Sequence, residues 1–463
     1  MKSMASASIM ALALACTAAP AQIVQVDVTG GKIAGTVAEG LSEFKGIPFA
    51  APPVGELRWR APQPVGPWSG VRQASAFGAA CMQNSAALAR EAPGTSMSED
   101  CLYLDVWTPA KTARERLPVI AWIYGGGFTG GMTSAPLYDG TRFAKKGVVF
   151  VGIAYRVGAL GFLATPELSR ESGHGSGNYG LLDQIAGLEW IRANVARFGG
   201  DPSRVTLLGH SAGGFSVSML AGSPLAKGLF HAAISESGAN FMPPQDSPWG
   251  GGSIQTLHLS EAAGKAWLES LGVPTLAEAR ALPAEKLQPA PGARGPRFWP
   301  PVDGYVISAD QYQLWSQGRF NDTPILVGDV SDEAAGFGVR QSDPAAFETE
   351  VKQGYGVHAA AILAVYPHGS DAEATRAGTQ LRSDTTFNWG QYTWARLAAS
   401  KGKHKAYVYY FDRPSAANPN GSGHGQEVAY VFGNLGVGPA PLPNEDRLKV
   451  LDAYYAWRRD GSR

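Results

Sequence analysis

Apolar residues fall along the chain in two spacings. Residues 119–124 and 148–155 are continuous apolar runs of strand length, each leading into a glycine-containing turn, and predict buried strands. Leu181, Ile185, Leu188, Ile191, Val195 and Phe198 recur at steps of four and three, one stripe of a helix ending at Gly199-Gly200. Residues 204–208, 232–234, 323–327 and 406–411 read as further strands, and 216–220 as the body of another helix. Strand alternating with helix predicts an α/β fold, with a mostly parallel sheet covered on both faces. Two stretches break the rhythm. Residues 30–70, rich in Pro and Gly, are expected to wrap the front edge of the sheet. Residues 240–301, with Pro243-Pro244, Gly250-Gly251-Gly252 and Phe298-Trp299-Pro300-Pro301, read as an insertion with helical parts. Such insertions supply substrate pockets, and Trp249, Phe298 and Trp299 offer apolar surface for one.

Composition narrows the class. A chain of 463 residues with 44% apolar content can bury one large core. Lys plus Arg equals Asp plus Glu at 39 each, so no net field recruits nucleic acid, and a neutral or weakly polar small molecule is the expected partner. The N-terminus has the form of an export signal: Lys2, an apolar run over residues 9–15, then Ala19-Pro20-Ala21. Cleavage near Ala21 would send residues 22–463 out of the cytoplasm as a single secreted or periplasmic domain. Lipidation at Cys16 is the weaker alternative, because Ala13 stands where a larger aliphatic residue is usual. No later stretch reaches the roughly 18 apolar residues of a spanning helix, so no stable membrane insertion is expected. Cleavage leaves Cys81 and Cys101, an even pair in an oxidising compartment, and predicts a disulfide.

The chemistry centres on Gly209-His210-Ser211-Ala212-Gly213. G-x-S-x-G alone is weak in a glycine-rich chain, but here a strand precedes it and Gly213-Gly214 opens a helix, the setting of a nucleophile elbow. A serine hydroxyl needs a base within hydrogen-bond reach and a carboxylate to orient that base. His358, His368, His404 and His424 all lie late enough in the chain, and His424, between two glycines soon after the 406–411 strand, is best placed to reach a strand-end site. Asp329, Asp332 and Glu333 cluster after the 323–327 strand, and spacing does not choose among them. Gly125-Gly126-Gly127-Phe128 follows the 119–124 strand, where side-chain-free residues let backbone N–H groups meet a developing oxyanion. The N–H of Ala212 would complete that hole. No phosphate-cradle or His-Glu-x-x-His pattern is present, and nothing in the sequence calls for a metal or cofactor.

The chain resembles the type-B carboxylesterases, the α/β-hydrolase family of bacterial para-nitrobenzyl esterases, animal carboxylesterases and cholinesterases. The resemblance runs through Phe44-Lys45-Gly46-Ile47-Pro48-Phe49-Ala50, Glu99-Asp100-Cys101-Leu102-Tyr103-Leu104, Trp122-Ile123-Tyr124-Gly125-Gly126-Gly127-Phe128, Gly177-Asn178-Tyr179-Gly180-Leu181-Leu182-Asp183-Gln184 and Phe198-Gly199-Gly200-Asp201-Pro202. It implies a carboxylic ester hydrolase working through an acyl-enzyme, with Ser211 as nucleophile, Glu333 as acid and His424 as base. It also implies oxyanion donors at Gly126, Gly127 and Ala212, a Cys81–Cys101 disulfide, structural ion pairs Arg58–Glu99 and Arg156–Asp183, and Ser237 as a serine behind the acid. Three departures stand out: His210 where Glu or Gln is common, Ala154 in place of Asn, and an end at Asp460-Gly461-Ser462-Arg463 where the family continues. Two other readings compete. One is a lipase or polyester hydrolase working at an interface, and the other is a catalytically silent cholinesterase-like binding module.

Overall fold

The computed structural model describes residues 22–84, 92–244, 254–288, 298–414, 419 and 421–437. The export segment with Cys16 and Ala21, Trp249, residues 250–252 and the chain end from Asp460 lie outside the described residues. Among the described residues nine strands make the central sheet: β1 (Thr36–Ala38), β2 (Leu41–Pro48), β3 (Tyr103–Thr108), β4 (Leu117–Ile123), β5 (Val149–Ile153), β6 (Gly200–His210), β7 (Ala232–Glu236), β8 (Ile325–Val330) and β9 (Ala406–Phe411). In space they run β9-β8-β7-β6-β4-β5-β3-β2-β1. The six strands from β9 to β5 are parallel, and the remaining three join antiparallel. The runs at 119–124, 148–155 and 204–208 therefore lie in the buried parallel centre, whereas the 406–411 run forms β9 at the end of the strand order, with Val408 and Tyr410 exposed.

Residues 30–70 do not wrap the sheet as expected. They supply β1 and β2, which extend the sheet by antiparallel pairing in which Phe44 pairs with Val106, while residues 31–34 join a separate three-stranded sheet. β3 itself was not foreseen, because Tyr103–Thr108 carries Asp105 and Thr108 among its apolar residues. Both are buried, Asp105 accepting from the Gly46 N–H and Thr108 donating to the Phe198 carbonyl. Such satisfied polar groups are tolerated in a core strand and blur its apolar signature.

The stripe from Leu181 to Phe198 is fully buried, on a helix α1 (Tyr179–Asn194) that tightens into a 3₁₀ turn. It stops at Gly199, whose φ of 78° is the left-handed conformation that glycine adopts at least cost. Helix α2 (Ala212–Gly222) packs on β6, β7 and β4. The insertion folds as expected into helical pieces, α3 (Leu257–Ser270) and α4 (Leu276–Ala281), the latter opened by a Thr275–Glu278 capping box. Arg58 anchors it. One guanidinium nitrogen donates to the carbonyls of Ala279 and Leu282 while the opposite edge grips Glu99 at 2.6 and 2.7 Å. Arg156 holds Asp183 in the same two-pronged way, with both buried. Among the described residues no helix is long and apolar enough to cross a membrane.

Cys81 and Cys101 are bonded, closing a loop of sequence separation 20. On the chain-entropy account a loop of that length stabilises the fold by about 3 kcal/mol. Both residues are buried and small, so Cys81→Ala/Cys101→Ala is expected to lower the unfolding free energy by about that amount, read as a lower denaturant midpoint with a steeper slope as the unfolded chain loosens. A midpoint equal to that of the native protein would refute it.

Candidate active site

Ser211 stands at the turn from β6 into α2 with φ 55° and ψ −122°, a conformation that a non-glycine residue adopts only under constraint. The neighbours show what constrains it. A β-carbon on Gly209 would come within 2.4 Å of the Gly213 backbone, and one on Gly213 within 2.0 Å of the Ile123 carbonyl. These glycines let the chain fold back on itself tightly enough to lift Ser211 off the end of the sheet. The Ser211 N–H donates to the Glu236 carbonyl at 2.8 Å, tying the turn to β7.

The facing turn is formed by Gly125, Gly126 and Gly127 at the end of β4. Gly126 and Gly127 have φ of 110° and 61°, and a β-carbon on Gly126 would collide with the Gly130 carbonyl at 2.2 Å. Gly125 approaches Ser211 so closely that a β-carbon there would lie 2.9 Å from that of the serine. Backbone, rather than side chains, therefore lines this wall, as the glycine run foretold.

His424 completes a hydrogen-bonded relay. Its Nε2 is 2.8 Å from Ser211 Oγ and its Nδ1 is 2.5 Å from Glu333 Oε2. The loop carrying it is pinned by a bridge between Asp332 and Gly423, in which the Asp332 N–H donates to the Ser422 carbonyl. Glu333 opens a 3₁₀ turn (Glu333–Phe337) directly after β8, and its second oxygen accepts from the Val330 N–H at 2.9 Å. Of the three candidate acids the structure thus brings Glu333 to the imidazole. Asp329 is buried on β8 and interacts with Glu333 and Glu427, and Asp332 pins the loop through its backbone. The other three candidate bases lie elsewhere: His358 is exposed, His368 is engaged by Glu348 and the Tyr366 carbonyl, and His404 by Asp322.

Burial sets the protonation of the relay. It pulls the His424 imidazole well below its ordinary range, while the Glu333 carboxylate at 2.5 Å acts in the opposite sense; burial is the larger effect. The ring therefore rests neutral, able to accept a proton. Glu333, Glu427 and Asp329 are all pushed upward, each by burial first, and Glu427 and Asp329 also by the charge of Glu333. Three carboxyl groups so close cannot all ionise. Of the three, Glu333 is the one within hydrogen-bond distance of an imidazole, 2.5 Å from His424 Nδ1 against 4.0 Å between Glu427 and His210, and it also accepts the Val330 N–H, so the charge belongs there. Ser237 bridges the acids: its hydroxyl lies 3.1 Å from Glu427 Oε1 and within hydrogen-bond reach of Glu333. Ser237 thus stands between Glu333 and Glu427, a residue to which sequence reasoning gave no role.

Aromatic rings wall the site. His424 packs against Phe387 and Phe337 with centroids 4.5 and 4.8 Å away, and Phe215 links Phe387 to Trp299, which reaches Phe128 at 5.2 Å. Trp299 thus packs on Phe128 and Phe215, the rings that follow the glycine turn and Ser211, whereas Phe298 packs on Trp267. Phe387 is delivered by a π-helical turn, Asp384–Asn388, a local widening with no signature in the sequence. Among the described residues no group of three or more His, Cys, Asp or Glu is placed to hold a metal ion.

The arrangement of elbow, backbone-lined turn and relay has counterparts among known proteins. The Carboxylesterase family profile matches residues 21–456. A fumonisin B1 esterase of Sphingopyxis macrogoltabida is 39% identical over 85% of this chain and 72% of its own length. A para-nitrobenzyl esterase of Bacillus subtilis is 36% identical over 88% of this chain and 82% of its own. A solved PNB esterase superposes with a TM-score of 0.80 at 30% identity, covering 94% of this chain and 90% of that one. With the family matched over nearly its whole length, the chain belongs to the carboxylesterases and is a carboxylic ester hydrolase with the α/β-hydrolase fold.

Proposed function

We propose that this esterase works through Ser211, His424 and Glu333 and forms an acyl-enzyme on Ser211. The relay of 2.8 and 2.5 Å is the observation that carries the reading. Ser211 Oγ attacks the ester carbonyl as its proton passes to His424 Nε2, and Glu333 balances the imidazolium that forms. The N–H groups of Gly126, Gly127 and Ala212 receive the carbonyl oxygen as it becomes negative, each donor contributing about 3 kcal/mol in the transition state. Collapse of this intermediate breaks the bond to the alcohol, which leaves with the proton from His424. Water then repeats the sequence, releasing the acid and restoring the hydroxyl. No step requires a cofactor.

The two relatives are named for different esters, so what passes to this chain is the ester bond rather than either substrate. The aromatic wall offers apolar contact to the acyl or alcohol part of an ester. Export, with cleavage near Ala21, is proposed on the residue pattern of the N-terminus. The mechanism is tested by incubating the protein with a fluorophosphonate and mapping the adduct. One label per chain on the peptide containing Ser211, with activity lost in step, is expected. Full labelling at another residue, or inactivation without a label on Ser211, would reject it.

A further inference from the structure

His210 takes no part in the relay, yet its ring is buried against His424, with centroids 4.7 Å apart and planes at 39°. Its Nε2 is buried without a hydrogen-bond partner and lies 4.0 Å from Glu427 Oε1. The surrounding backbone closes in on it: a β-carbon on Gly425 would lie 3.0 Å from His210 Cε1, and one on Gly125 would lie 3.3 Å from Nδ1. The titratable groups around it are His424 and Glu427 from the loop after β9, and Glu236, its register partner on β7. Glu333 lies one step further, through Ser237.

At this distance from His424 the charge of residue 210 matters. A carboxylate there would hold a proton on His424, so that the base came into service only at higher pH. A cation would oppose the imidazolium that must form as Ser211 attacks. A neutral ring does neither. Burial, and after it the charge of His424, disfavours the protonated form of His210. The same glycines that admit the ring leave little room for water beside it.

We propose that His210 is a positioning residue that keeps the flank of His424 uncharged, so that the base remains free to accept the Ser211 proton in mildly acidic solution. The proposal rests on the Ser211–His424 reading above. It assigns to position 210 a control over the pH range of the reaction, exerted through His424 and not through substrate.

The test is the acid limb of kcat/KM for a neutral para-nitrophenyl ester, read alongside the pH dependence of fluorophosphonate labelling. His210→Glu is expected to move both limbs up by about one pH unit or more, and His210→Gln by less than about a third of that. An unmoved limb in His210→Glu with the new carboxyl ionised, as its carbon NMR resonance reports, or an equal shift in both variants, would overturn the proposal. If His210→Glu does not fold, or its carboxyl stays protonated, imidazole nitrogen NMR of the native protein decides: His210 should stay unprotonated from about pH 5 to 8, and uptake of a proton in that range overturns the idea. Failure of the native protein to label at Ser211 would instead strike the underlying mechanism, so the two failures are distinct.

Discussion

Ser211→Ala is expected to lower kcat/KM for a para-nitrophenyl ester by about 10⁴-fold or more while leaving the fold intact. The hydroxyl has one partner in the relay, His424 Nε2 at 2.8 Å, so its removal costs the fold that single hydrogen bond. The strained backbone at φ 55° is imposed by the glycines around it and by the bond from its own N–H to Glu236, none of which depends on the hydroxyl. Alanine adopts the same angles at the same cost as serine. What disappears is the covalent route. Backbone donors at Gly126, Gly127 and Ala212 would still polarise a bound ester, which is why a small residual rate over water is expected. The measurement is kcat/KM together with thermal unfolding of the variant. Retention of a tenth of the native rate by a folded protein would remove Ser211 from the mechanism.

The elbow and the glycine wall were legible in the sequence because both are demands on backbone. Only residues without a β-carbon fit at 209, 213 and 126, and the apolar runs before each motif mark them as strand ends. His424 could be singled out by its loop between two glycines. The acid could not be chosen by spacing, since Asp329, Asp332 and Glu333 occupy the last residues of β8 and the first of the next turn. Which one meets the imidazole depends on where the Asp332–Gly423 bridge sets the histidine loop, a contact across 91 positions of sequence. Resemblance to the family pointed to Glu333 where periodicity was silent. Neither route anticipated Phe387, because a π turn leaves no spacing to read, nor the bracing of Ser237 by Glu427, whose buried carboxyl looks in the sequence like any solvated glutamate. β1 and β2 were missed for another reason: they join one end of the sheet by antiparallel pairing, separated by Glu39-Gly40, and antiparallel strands need no long apolar run.

Glu333→Gln tests the choice of acid with a change of a single atom in charge and proton count. The amide keeps the size of the carboxyl and can keep an oxygen toward the Val330 N–H, so the 3₁₀ turn and the histidine loop have no steric reason to move. The other end of the side chain then decides the outcome. If the amide nitrogen faces His424 Nδ1, that nitrogen must accept, the ring proton moves to Nε2, and Nε2 no longer takes the proton of Ser211. If the amide oxygen faces it instead, the tautomer is right but the imidazolium formed in the transition state has lost its counter-charge, in a site where burial already disfavours a charged His424. Both routes penalise the transition state. The expected loss is about 10³- to 10⁴-fold in kcat with KM little changed, and a parallel fall in the rate of fluorophosphonate labelling. Asp329 offers the rival outcome, since it is buried in the same carboxyl cluster and interacts with Glu333. Activity within tenfold of native in Glu333→Gln, abolished only when Asp329→Asn is added, would transfer the role of acid to Asp329 and show that the 2.5 Å contact is structural.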